Sequence, residues 1–404
     1  MSSDNAETNT FEVPMDGSFF QDPYSVYRTL RSHGPVHQVR GRGGTNWLVV
    51  GYDAIRAGLT DLRLSKSGEA FAKRAHAKMG EVTSEVVSDT MALNDSFASI
   101  VREVVARHLG SPANGNPRER FTEIANALLD SVARPEVPVD LVSQFALPYA
   151  VRVASEVAGI PEHDRADFIE WFRIDAMSDD DRYTDRTVFK QMHRRITGLL
   201  TERQIEPQED LITALAAKIT SGAGATEEHV ASSTTYILLR WVTNICDCVV
   251  NSFHDLLTNP NQLKKLLDDD LLVAPAIDEL LRLNATTIMS AARIATEDLR
   301  LAGADIAAGD VVFFALGSGN HDDTHFADPD VLDVTRCPQD HFGFGLGRHR
   351  CPAIGYAQQQ TETALRVVLR RFPALRLAAD PAELVWYASA FRHTLKSLPV
   401  VLRP

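Results

Sequence analysis

Phe344-Gly345-Leu346-Gly347-Arg348-His349-Arg350-Cys351-Pro352-Ala353 is the stretch of this chain with the densest chemical content. Glycines at 343, 345 and 347 let a backbone turn tightly and pass close to a flat group. Cys351 then stands just ahead of a helical run, with Pro352 where a first-turn proline fits. A thiolate there gains from unpaired N–H groups and from the positive end of the helix dipole. Arg348, His349 and Arg350 add positive charge just before it. Such a pocket stabilises one anionic sulfur, as a thiolate metal ligand requires. The bland alternative is a glycine-rich turn with an incidental buried cysteine; Phe, two glycines, His and Cys at fixed offsets argue against it. Cys246 and Cys248 cannot share one helix face and read as small apolar residues. Cys337 lacks the glycine loop and the helix.

The run is similar to the signature F-G-x-G-x-H-x-C-x-G of the cytochrome P-450 family. It matches at Phe344, Gly345, Gly347, His349 and Cys351 and departs at Ala353, where the family has glycine. The resemblance extends through DPYSVYRTLRSHGPVHQV, GYDAIRAGLTDLRLS, LTNPNQLKKL and SGNHDD, nearly everything after residue 20, and points to the soluble bacterial branch. It implies a mainly α fold with small β-sheets, a triangular helical body with a minor β lobe, and haem b bound through Cys351. Phe344 would shield the sulfur, Gly345 would lie against the haem, and His349 would approach a propionate. Arg293 matches the family's propionate-binding arginine. Arg102 matches the arginine of an H-x-x-x-R helix whose histidine position is Ala98. Glu279 and Arg282 lie at i and i+3 on one helical face and can pair; the resemblance makes them the core ion pair beneath the haem. Its usual third partner is absent from DPDVLD, so that partner is either missing here or supplied by Arg336.

One region breaks the pattern. The family's central helix carries A-G-x-[DE]-T-T, and the corresponding residues here are Arg240-Trp241-Val242-Thr243-Asn244-Ile245. Thr243 replaces the acid and Asn244 the alcohol that together pass protons to iron-bound dioxygen. An amide hydrogen-bonds but exchanges no proton readily at neutral pH. Arg240, Thr243, Asn244, Asp247 and Asn251 form one helical stripe, which periodicity alone would make a solvated face and the resemblance turns toward the active site. Buried charges there need partners. Two turns apart, Arg240 and Asp247 can bridge through Asn244 or a substrate, and the expectation is that Arg240 binds an anionic substrate group such as a carboxylate. By family position Trp241, Thr287, Met289 and Phe391 line the pocket, with the 66–97 loop, 286–292 and 389–392.

Around these residues the sequence predicts helix, strand, strand, helix over Asp22–Ala57. Helices follow to about Asn284, interrupted at Pro112, Pro138, Pro161 and the polar stretch 178–185. Strands are predicted at AARIA, LRLAG and DVVFFAL, a helix from Pro352 to about Arg371, and a last strand in LKSLPVVLR. Residues 1–10 are expected to be disordered and 11–404 to form a single domain. The chain has 404 residues and a formal charge of −13, which argues against nucleic-acid binding. No apolar run is long enough to span a membrane, and four cysteines form no disulfide framework; a cytoplasmic monomer is expected. Two enzymatic readings follow. One is a monooxygenase supplied by ferredoxin and ferredoxin reductase, acting on a small molecule of specialised metabolism. The other is a haem-thiolate enzyme that does not activate dioxygen, working by nitrene transfer, rearrangement or peroxide. A haem-based sensor or binding protein is the third alternative.

Overall fold

The computed structural model describes residues 10–11, 16–41, 44–66, 95–110, 117–132, 137–177, 186–221 and 226–403. In chain order these form β1 (Thr10–Phe11), α1 (Gly17–Gln21), α2 (Pro23–His33), β2 (Val36–Gly41), β3 (Gly44–Val49), α3 (Tyr52–Thr60) and β4 (Leu64–Ser65). Then come α4 (Asp95–Leu109), α5 (Pro117–Val132), β5 (Pro138–Asp140), α6 (Leu147–Ala158), α7 (Arg165–Ala176), α8 (Arg186–Ile205), α9 (Leu211–Thr220) and α10 (Glu227–Thr258). The last part contains α11 (Pro260–Asp268), α12 (Val273–Leu283), β6 (Arg293–Ala295), β7 (Leu299–Leu301), β8 (Ala304–Ile306), β9 (Val311–Phe314), α13 (Leu316–Asn320), α14 (Ile354–Arg371), β10 (Arg376–Leu377) and β11 (Pro399–Val401).

Helix starts follow local chemistry. Asp22 accepts from the N–H groups of Tyr24 and Ser25 while Pro23 opens α2. Thr226 caps α10 by accepting from His229 N, with Glu227 and Glu228 in the first turn where the dipole favours them. At 32 residues α10 crosses the helical body and packs against α4, α6, α7, α8, α12 and α14. Most of its length is buried, and Thr234, Thr235 and Thr243 return their hydroxyls to carbonyls one turn back.

The strands form a six-stranded sheet ordered β1-β2-β3-β9-β6-β4, a three-stranded sheet β10-β11-β5 and the hairpin β7-β8. The large sheet has its own core of Trp47, Val49, Phe314 and Leu316, separate from the apolar cluster of the helices. The expected mainly α fold with small sheets is what the chain adopts. Thr10, expected to be disordered, pairs with Gln38 beside Phe11; residues 1–9 lie outside the described residues. So does 67–94 of the expected 66–97 loop, while 95–97 belong to α4. No described helix is long and apolar enough to cross a membrane.

Candidate active site

The cysteine loop is a set of tight turns closed by its own backbone. Cys351 N donates to Phe344 O at 2.9 Å, and Gly345 N donates to Phe342 O at 2.8 Å. Gly345 and Gly347 adopt φ of 68° and 72°, a region that side chains resist. Gly347 also has no room: a Cβ there would lie 2.7 Å from Leu59 O. The Cys351 sulfur accepts from Ala353 N at 3.5 Å as α14 begins. Burial pushes the Cys351 thiol up, and that N–H together with Arg102 and Arg350 opposes the shift. Arg102 bonds Arg350 O and so ties α4 to the loop.

Glu279 and Arg282 brace the loop from α12. Both side chains are fully buried, joined through two contacts of 2.7 and 2.9 Å. Arg282 also donates to Asn320 O and Pro329 O at 2.8 and 2.6 Å, and Asn320 Oδ1 accepts from Phe342 N at 2.7 Å. Arg336 Nε lies 3.3 Å from Glu279 Oε1. Arg336 is thus the third partner that its position suggested.

A cavity of about 380 Å³ runs from Cys351 to α10. Phe344, Gly345, His349, Arg102, Arg293 and Lys66 line it near the cysteine; Arg240, Trp241 and Asn244 line it from α10; Thr286, Thr287, Tyr387 and Phe391 close the side. Trp241 donates from Nε1 to Gln360 Oε1 at 3.1 Å and meets Tyr356 edge-on at 5.6 Å. Thr287 and Phe391 stand where expected. Met289 does not: it is buried against Phe19, Tyr27 and Leu30. The backbone here is no regular strand, since Ile288 N bonds Phe391 O while Ser290 N bonds Phe314 O, so Met289 turns into the core.

The polar stripe on α10 divides. Arg240 and Asn244 reach the cavity, whereas Thr243, Asp247 and Asn251 are buried away from it. Arg240 and Asp247 do not bridge, because each already holds a partner from another element. Arg240 Nη2 lies 2.7 Å from Asp175 Oδ2 on α7. Asp247 takes both arms of Arg392 at 2.7 Å, and Arg392 also donates to Ala176 O at 2.6 Å. Asn251 donates to His393 O at 2.8 Å. Arg240 thus reaches the cavity as one half of an ion pair, so an anionic substrate group there would meet a charge that Asp175 shares. Asp175 escaped the sequence reading, although a signal existed. Phe168, Phe172, Asp175 and Ala176 form the buried face of α7, and an acid on an apolar stripe needs a buried partner.

The cytochrome P450 family model matches residues 270–377, which contain both the Glu279–Arg282 pair and the Cys351 loop. The polyketide biosynthesis cytochrome P450 PksS of Bacillus subtilis (strain 168) is 30% identical over 398 residues, covering 96% of this chain and 98% of the relative. The chain belongs to the cytochrome P450 family. The cytochrome P450 monooxygenase PikC of Streptomyces venezuelae is 31% identical over 95% of this chain and 91% of its own. Among solved structures, the tirandamycin C-bound P450 monooxygenase TamI superposes with a TM-score of 0.85 at 30% identity, covering 97% of this chain and 100% of that one. The P450 enzyme CxnD, for C–S bond formation in chuangxinmycin biosynthesis, has the same TM-score at 26% identity, covering 98% of each chain.

As a cytochrome P450 the protein is a haem-thiolate oxidoreductase, and its cavity fits the group. Cys351 would supply one soft anionic ligand. Glycine at 345 leaves the wall beside the sulfur flat, and Arg102, Arg293, His349 and Lys66 offer cationic donors for two carboxylates. Arg293 is held by Leu59 O at 3.0 Å with its side chain buried. No described cluster of three or more His, Cys, Asp or Glu side chains offers another metal site.

Proposed function

We propose that this P450 is a ferredoxin-dependent monooxygenase holding haem b and acting on a small, moderately polar molecule of bacterial specialised metabolism. One observation carries the reading: a single cavity joins the Cys351 loop to a distal wall of mixed polarity in which Arg240, the α10 charge that lines it, is paired with Asp175. The haem, when bound, supplies the oxidising chemistry, with the thiolate pushing electron density onto the iron. The chain's own residues do the rest. Phe344 packs beside the sulfur, while Arg102, Arg293 and His349 bind the propionates. Trp241, fixed by Gln360 and Tyr356, fills the space that the family leaves to glycine. Thr286, Thr287, Ser290 and Asn244 orient the substrate, with Tyr387 and Phe391 against its apolar part. The compensated Arg240–Asp175 pair favours hydroxyl, amide or zwitterionic groups over a lone carboxylate, which would have to compete with Asp175.

Arg348 and Arg350 are exposed on the cysteine side, with Arg102 bonded to Arg350 O. On a body with net charge −13, this local basic surface steers an acidic iron–sulfur carrier toward the thiolate. PksS, PikC and TamI support the reading by their named activities and settings.

The replacement of acid and alcohol by Thr243 and Asn244 favours a second reading, in which the substrate carries its own leaving group or peroxide is the oxidant. Nitrene transfer and rearrangement belong to that class. One experiment separates the two: turnover of candidate substrates with and without NADPH, ferredoxin and reductase, under air and under argon, followed by mass spectrometry. Product that needs both reductant and dioxygen supports the monooxygenase. Product formed without either establishes the second reading.

A further inference from the structure

We propose that Asp175 is the acid of the distal site, carried by α7 instead of α10, with Arg240 and Thr243 as the residues that position it. The inference rests on the monooxygenase reading and supplies what that reading lacks, a group at the distal wall that exchanges protons. Among the described residues Asp175 is the one carboxylate lining the cavity. The other distal candidates fail on chemistry. Asn244 has no exchangeable acid proton and Arg240 keeps its own. Burial pushes the Tyr236 phenol and the Cys248 thiol well away from neutrality.

The geometry rebuilds the missing pair across two helices. Asp175 Oδ2 accepts from Arg240 Nη2 at 2.7 Å; Thr243 Oγ1 lies 3.4 Å from the same oxygen and gives its one proton to Leu239 O at 2.9 Å. Thr243 occupies the position that holds the family's acid, so carboxylate and hydroxyl meet at the same level of α10 with their sources exchanged. The Asp175 side chain is 1% exposed, and Met177, two residues on, is exposed. Asp175 also stands in the last turn of α7, where the helix dipole disfavours negative charge. Helix stability therefore does not explain a carboxylate here; its contacts with α10 do. In the reaction the substrate C–H, dioxygen, two electrons from the reduced carrier and two protons give C–OH and water. Asp175 releases protons into the cavity and regains them from solvent, ending unchanged.

The test compares wild type with Asp175→Asn, Asp175→Glu and Thr243→Val in the haem-loaded protein with NADPH, ferredoxin and reductase. Three readouts are taken: product and hydrogen peroxide per NADPH, the solvent deuterium isotope effect, and the C–O stretch of the carbon-monoxide-bound ferrous protein. The stretch reports distal hydrogen bonding without turnover. Asp175→Asn should lower product formation about 100-fold, the low end for a positioned acid–base group. It should also raise peroxide, enlarge the isotope effect and shift the stretch, while substrate affinity read from the haem spectrum changes less than 3-fold. Asp175→Glu should restore part of the coupling. Thr243→Val, which leaves the ion pair intact, should act in the same direction but more weakly. Unchanged coupling and isotope effect in Asp175→Asn, with wild type still oxygenating, would overturn this assignment alone. If Asp175→Asn fails to load haem, Thr243→Val decides, and an unchanged stretch and coupling there overturns it. Wild type that needs neither NADPH nor dioxygen overturns the monooxygenase reading and this inference together.

Discussion

The two sides of the cavity are built by opposite strategies. On the cysteine side the chemistry is local: ten consecutive residues form the loop, and their turns are closed by bonds inside the loop. Its brace is local as well, Glu279 and Arg282 lying three residues apart on α12. On the α10 side each charge is answered from far away in sequence, Arg240 by Asp175 and Asp247 by Arg392. The near side keeps most of the family's residues, Ala353 and Ala98 excepted, and the far side balances its charges with different ones. Where the backbone itself makes a site, residues are hard to exchange; where side chains meet across elements, partners can be exchanged provided that the pair survives.

The sharpest break of this contrast is at the sulfur. Cys351→Ala should abolish activity and the thiolate–carbon-monoxide band while far-UV circular dichroism stays unchanged; a normal band would refute the ligand assignment. Next comes the brace. Glu279→Gln leaves Arg282 fully buried beside an amide, and removing one partner of a buried pair costs about 3–5 kcal/mol. Urea unfolding and haem retention should both register it. Asp247→Asn should cost about 3 kcal/mol, at the lower end because Arg392 keeps Ala176 O and lies 4.4 Å over the Tyr387 ring. The double variant Asp247→Asn/Arg392→Met should be more stable than Asp247→Asn alone; simple additivity would show that the pair is not coupled.

The last effect, small near neutrality, is a dependence on acid. Burial, and then the neighbouring His254, pushes His393 down from 6.5 to about 3. Folded His393 therefore stays neutral where the unfolded chain takes up a proton. Stability is full above about pH 6.5 and falls as the pH drops toward 3, by at most about 1.4 kcal/mol per unit. His393→Gln should flatten that slope in urea titrations at pH 7 and pH 5, and an unchanged slope would assign the loss to other groups.

The same contrast explains what could be read from the sequence. The Cys351 loop and the Glu279–Arg282 pair were legible through the family resemblance, because their residues stand at short fixed offsets; Arg336, distant in sequence from Glu279, was only one of two alternatives for the third partner. Central-helix placement was legible from the resemblance, whereas the 3.6-residue period alone would have made Arg240, Thr243, Asn244 and Asp247 a solvated face. Their partners were not legible, because Asp175 and Arg392 reach them only through packing of α7 and the C-terminal segment. Met289 was misplaced for a related reason: residues 286–291 bond alternately to the C-terminal segment and to β9, and no simple period describes which way each side chain turns.

The chain contains four tryptophans, and one of them, Trp241, stands in the cavity wall. An indole placed there lies within energy-transfer range of any porphyrin seated over Cys351. Its emission should therefore be quenched in the loaded protein and recover in the empty one. The substitution that sets this P450 apart from its family thus equips it with an intrinsic optical gauge of cofactor occupancy, one that Trp241→Phe would dim.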